Sequence, residues 1–96
     1  MSLSIIERTI QRHPQVCSTV AGDELVVMGN RDKIYYRINP TGIRIWNFMG
    51  SKICSVDRVV EYIANYYELE KNQILPDVIS FVVWMTDKDI FQFVDE

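Results

Sequence analysis

"KIYYRINPTGIRIW", residues 33–46, joins two patterns that no single element can satisfy. Lys33 to Ile38 alternates: Ile34, Tyr36 and Ile38 share one face, and Lys33, Tyr35 and Arg37 the other. That is the period of a half-buried strand. Asn39 then offers a side-chain cap, Pro40 suits the first helical position and Gly50 supplies a stop. The stretch is a strand that turns into a helix. One glycine and no neighbouring lysine make the joint a weak anion loop, so it reads as a hinge. Gly42 permits close approach to the sheet, and Trp46 anchors the core.

Upstream, "QVCSTVAG" alternates through Val16, Ser18 and Val20, and "ELVVMG" is a short apolar run closed by Gly29. With the strand above, they predict a three-stranded antiparallel meander, which needs helices to cover its apolar face. Downstream, Ser55 caps "VDRVVEYIANYY", whose Val56, Val59, Val60, Ile63, Ala64 and Tyr67 fall in one amphipathic stripe. "NQILPDVISFVVWMTDKD" is the third helix, with Pro76 placed in its first turn, and "IFQFV" closes the chain as an extended segment. In residues 1–14, Leu3, Ile6 and Ile10 stand at helical spacing, and this part reads as an N-terminal arm or short helix ahead of a domain at 15–96. The predicted class is α+β, a winged helix-turn-helix-like order of three strands followed by three helices, β-β-β-α-α-α.

Bulk properties narrow the function. At 96 residues with net charge −3, the chain is one small domain with no basic surplus for a polyanion. It has no apolar run near the ~20 residues of a membrane span, and its N-terminus lacks the layout of a signal peptide. Two separated cysteines, Cys17 and Cys54, and the single His13 do not make a metal-ligand set, and they read as buried free thiols and a solvated histidine in a cytoplasmic protein. No cofactor is expected. Nucleophile, base and convergent carboxylates are missing as a set, so the chain is expected not to be an enzyme.

The third helix carries more apolar surface than a core requires. Ile74, Val78, Phe81, Val82 and Met85 make the core face, Leu75, Ile79 and Val83 a second row, and Asp77, Trp84 and Lys88 a third. Beside it, the third strand is an edge of the meander, where Lys33 and Arg37 either blunt pairing or meet an acidic peptide. An edge next to an apolar flank is the geometry of β-strand addition. Five backbone hydrogen bonds give roughly 2.5 to 7 kcal/mol. Association costs about 4 to 15 kcal/mol. Two buried apolar anchors add roughly 3 to 6 kcal/mol, which brings micromolar affinity within reach only if strand and helix act together.

"INPTGIRIW", the "VDRVVEYIANYY" helix and "DVISFVVWM", in this order, resemble the PqqD-like proteins, also called RiPP recognition elements after the ribosomally made and post-translationally modified peptides they serve. The resemblance spans about residues 16–94, with Ile38 where the family usually has Leu and "DKDIF" in place of a Gly-Leu pair. It implies a non-catalytic peptide chaperone that binds the leader segment of a precursor peptide as an added strand and presents it to a modifying enzyme. The resemblance implies an enzyme such as a radical S-adenosylmethionine enzyme, a leader peptidase or a cyclase, in biosynthesis of the pyrroloquinoline quinone or lasso-peptide type. The binding surface it implies is Lys33, Ile34, Tyr35, Tyr36 and Arg37 from the strand, with Asp77, Ser80, Phe81, Val83, Trp84 and Lys88 from the helix. The sequence leaves open which alternate set of strand residues meets the peptide.

A DNA-binding winged helix is the main alternative. Its recognition helix usually offers several basic or amide side chains to base edges, whereas from Leu75 to Asp89 only Lys88 stands against three aspartates. No nucleic-acid or membrane partner is therefore expected. An unpaired strand edge also recruits copies of itself, so the chain is expected to be a monomer or weak homodimer.

Overall fold

The computed structural model describes residues 4–94. A 3-10 turn at Ile5–Glu7 leads into β1 (Thr9–Arg12), β2 (Cys17–Ala21), β3 (Glu24–Met28) and β4 (Tyr35–Ile38). Then follow α1 (Pro40–Met49), β5 (Cys54–Ser55), α2 (Val56–Tyr67), α3 (Lys71–Asp87) and β6 (Phe91–Phe93). The strands form two antiparallel sheets, β2-β3-β4 and β5-β1-β6.

The first sheet is the expected meander, and the third strand read from sequence is β4. Leu25 and Val27 of β3 pair with Ile38 and Tyr36 of β4, and Leu25, Val27 and Ile38 are buried against the helices. Of "KIYYRI" only the last four residues are strand. Lys33 takes a left-handed φ of 62°, and the Ile34 N–H donates to Asp32 Oδ1 instead of to the ladder. Lys33 and Ile34 therefore belong to the turn.

The second sheet corrects the order β-β-β-α-α-α. Residues 9–12 are not helix: Thr9–Arg12 is the central strand, pairing with Cys54–Ser55 on one side and Phe91–Phe93 on the other. Ile10 is fully buried, and the Arg12 guanidinium lies 3.8 Å from the centroid of the Trp46 ring while Arg12 Nη2 donates to the Trp46 carbonyl at 2.6 Å. Burial lowers the pKa of Arg12. The helical spacing of Ile6 and Ile10 is too short a run to outweigh pairing with two strands, and Leu3 lies outside the described residues.

The helices start where their caps stand. Asn39 Oδ1 accepts from the Gly42 N–H at 2.7 Å, and Ser55 Oγ accepts from the Arg58 N–H at 3.2 Å. Gly50 closes α1 at a φ of 56°. The α2 stripe is buried from Val56 to Ala64, but Tyr67 is exposed and its hydroxyl meets Thr41 Oγ1 at 2.8 Å. On α3, Ile74, Val78, Val82 and Met85 are buried and Phe81 is half-buried. That helix begins at Lys71, so Pro76 stands in its second turn, where its missing N–H removes the bond to the Asn72 carbonyl. Trp46 is 3 % exposed and stacks on Phe91, the core anchor the sequence suggests.

Candidate functional site

One free edge of the meander is β4. The Gly29 N–H donates to the Ile34 carbonyl, which sets the alternation of the ladder: Tyr36 and Ile38 turn their backbone groups to β3. Tyr35 and Arg37 therefore turn theirs outward. Their side chains point away from the core and are exposed, whereas Tyr36 and Ile38 point toward the helices. The strand thus presents two outward N–H groups and two outward carbonyls.

Alongside runs α3. Between the two lies an open cleft of about 560 Å³ whose floor is Ile38, Ile45, Ile74, Val78, Phe81 and Trp84. Its polar rim is Arg37, Asn39, Thr41, Asp77 and Ser80. Gly42 sits in the same floor for a steric reason. A Cβ there would meet Ile38 Cγ2 at 2.6 Å and Phe81 Cε1 at 2.7 Å, so only glycine lets α1, β4 and α3 converge.

One end of the cleft is tied shut. The Tyr36 and Trp84 rings meet edge to face at 4.9 Å, and Lys88 Nζ lies 5.1 Å and 5.3 Å from their centroids. Asp32 accepts the Tyr36 hydroxyl and lies 3.8 Å from Lys88 Nζ. The hydrogen bond from Tyr36 holds the Asp32 carboxyl below its usual pKa, and Asp32 in turn pushes the Tyr36 phenol up. This cluster fastens the β3–β4 turn to the end of α3, as does Asn30, whose side chain donates to the Asp89 carbonyl at 2.7 Å.

Of the residues that sequence reasoning named, Tyr36, Arg37, Asp77, Ser80, Phe81, Trp84 and Lys88 come together at this cleft or its tied end, and Tyr35 lies on the free edge of β4 with its side chain exposed. Lys33 and Ile34 lie on the turn beyond it, and Val83 is 48 % exposed and does not line the cleft. Lining residues not named as site residues are Ile38, Asn39, Thr41, Gly42, Ile45, Ile74 and Val78, with Asp32 at the tied end. Three of them lie in the Asn-Pro-Thr-Gly joint, read as a hinge with Gly42 close to the sheet.

Among the described residues, no group of three or more His, Cys, Asp and Glu is placed to hold a metal ion. His13 Nδ1 accepts the Gln15 N–H. Cys17 is exposed, against the expectation of a buried thiol, while burial raises the pKa of the half-buried Cys54. Among the described residues, no helix is long and apolar enough to cross a membrane.

The family model described as coenzyme PQQ synthesis protein D (PqqD) matches residues 24–90, from the start of β3 to the residue before β6. The chain belongs to the PqqD family. The match takes in β4, α1 and α3, and so the whole cleft of this PqqD-family chain. In fold it is similar to TbiB1, solved in complex with the TbiA(beta) leader peptide. The TM-score is 0.72 at 19 % identity, over 90 % of this chain and 99 % of that one. Comparison with curated proteins gives no match.

Proposed function

We propose that the cleft between β4 and α3 binds the leader segment of a ribosomally made precursor peptide by strand addition. The protein then presents the peptide to a modifying enzyme and does no chemistry itself. The observation that carries this reading is the coincidence of two features in one place: the outward backbone groups of Tyr35 and Arg37, and the apolar floor from Ile38 to Trp84. PqqD membership and the leader peptide bound to TbiB1 support the same reading.

The energetics require both features. Four outward groups give roughly 2 to 6 kcal/mol, fewer bonds than the bare sequence suggested and below most of the association cost of about 4 to 15 kcal/mol. Side chains pointing from the added strand into the floor supply the rest. A fixed pairing register then makes recognition depend on alternate peptide positions.

The test begins with a library of displayed random peptides selected on the whole chain. Each backbone position of a selected binder is then N-methylated in turn. Strand addition predicts that alternate positions abolish binding. A binder that tolerates methylation everywhere overturns the reading.

A further inference from the structure

The β4–α3 cleft does not end at Ile38. Arg37, Ile38 and Asn39 also wall a smaller hollow that continues around the strand-to-helix joint. That hollow shares Asp23, Glu24, Pro40 and Ile43 with a groove of about 390 Å³ between α1 and the β2–β3 turn. The three run together as one furrow. Its far part has an apolar bed of Val20, Pro40 and Ile43, and Val20 is 69 % exposed, the most exposed large hydrophobic residue among those described.

Resting on the strand-addition reading, we propose that this far groove holds the residues that precede the strand-forming segment of the same peptide. An apolar side chain seats on Val20 and Ile43, and a basic one lies against the lip formed by Asp23 and Glu24. Direction follows from pairing. Every neighbour in this sheet is antiparallel, and parallel pairing is less stable per residue. A peptide antiparallel to β4 passes Ile38 before Tyr35, so its N-terminal flank is the part that leaves toward Asn39 and Pro40. The tied end at Tyr36, Trp84 and Lys88 lies on the opposite, C-terminal side.

Charge agrees with a basic side chain on that lip. Among the described residues, Glu24 forms a salt bridge with Arg37 alone, at 3.7 Å and between side chains that are both more than half exposed, so the pair is weak and opens at little cost. Arg44, on the other wall, is drawn away onto the Tyr66 ring at 3.6 Å. Asp23 has no salt bridge among the described residues, so its carboxylate faces a basic side chain of the peptide even though Arg37 and Arg44 also line the furrow. Groove and cleft together make the peptide footprint longer than β4 itself.

The experiment uses a binder selected from displayed random peptides long enough to span both parts. It is measured whole, trimmed at its N-terminus and trimmed at its C-terminus, against the native chain and the double variant Val20→Lys/Asp23→Lys. N-terminal trimming is expected to weaken binding about tenfold, and the double variant is expected to weaken the whole peptide about tenfold and leave the N-trimmed peptide unchanged. If the double variant changes nothing, or the sensitivity follows the C-terminal flank, the groove proposal falls while strand addition stands. Arg37→Pro separates the two readings. Binders indifferent to it, or a library without binders, overturn strand addition and this inference with it.

Discussion

The meander has two free edges, and they differ in what lies beside them. On β4 the outward backbone groups belong to Tyr35 and Arg37. The same alternation carried across β3 gives β2 the outward groups of Ser18 and Val20. Each edge therefore offers the same number of donors and acceptors. Yet β4 lies along α3, over Phe81 and Trp84, whereas all five residues of β2 are exposed and its Val20 borders only the smaller groove to α1. If backbone groups alone made a binding strand, the two edges would compete equally. On the proposed reading, the floor decides which edge binds and the backbone decides only the register.

The sharpest way to break this comparison is a proline on each edge. Arg37→Pro removes one outward N–H and puts a ring where the peptide carbonyl sits. The lost bond and the unpaired acceptor together cost about 3 kcal/mol, more than a hundredfold in affinity. Ser18→Pro makes the same change on β2 and is expected to leave affinity unchanged. Isothermal titration with a selected peptide reads both, with far-UV circular dichroism as the check on folding. Equal losses would mean that binding does not distinguish the edges. Tyr36→Pro differs from both, because its N–H points into the ladder, and it is expected to disorder β4 itself.

Next in size is the floor. Trp84 is 36 % exposed and lies against Tyr36, so a peptide strand above it covers the remaining indole surface. Trp84→Ala is expected to cost roughly 1.5 to 3 kcal/mol of binding, tenfold to about a hundredfold, with little change in far-UV circular dichroism. Val83→Ala, one residue before it and outside the cleft, is expected to change affinity less than twofold. Should the two variants lose alike, the cleft floor is not where the peptide lies.

Gly42→Ala tests whether the floor's shape or only its composition matters. The added Cβ falls within 2.7 Å of both Ile38 and Phe81, so one of them must give way. Overpacking of this kind costs about 1 to 3 kcal/mol of stability, read as a lower urea midpoint at unchanged slope. Affinity is expected to fall as well, since Phe81 cannot move without lifting the floor. A variant of native stability and native affinity would show that the three elements do not need this closeness.

Legibility followed how local each signal is. Asn39 as cap, Pro40 behind it and the stripe from Val56 to Ala64 are written within a turn or two of where they act, and they read correctly. β4 read correctly from Tyr35 to Ile38, because its alternation lies in one short run, but not at Lys33 and Ile34, which the turn takes. The second sheet did not, because Thr9–Arg12 pairs with strands of two and three residues from the middle and the end of the chain. None of the three carries enough pattern to announce itself. The cleft floor failed for a related reason. Gly42 reads correctly as a close approach to the sheet, at Ile38, but nothing near it says that Phe81 of α3 will pass within touching distance as well.

The smallest expected effect sharpens the comparison at the tied end of the cleft, which β2 has no counterpart for. Asp32 accepts from the Tyr36 hydroxyl and the Ile34 N–H and lies near Lys88. Its carboxyl is held below the usual range chiefly by the Tyr36 bond, so the tie is complete above the ordinary carboxylate pKa. It is lost only as the pH falls through the lowered folded value. Between neutral pH and the ordinary carboxylate range, affinity is therefore expected to be flat, with a decline only on the acid side of it. Asp32→Ala frees Lys88 and loosens the turn, and because the group is exposed the expected loss is about threefold or less. Binding that already falls between neutral and mildly acid pH would put the responsible proton elsewhere, and a loss in Asp32→Ala as large as in Trp84→Ala would make the tie, not the floor, the feature that sets β4 apart from β2.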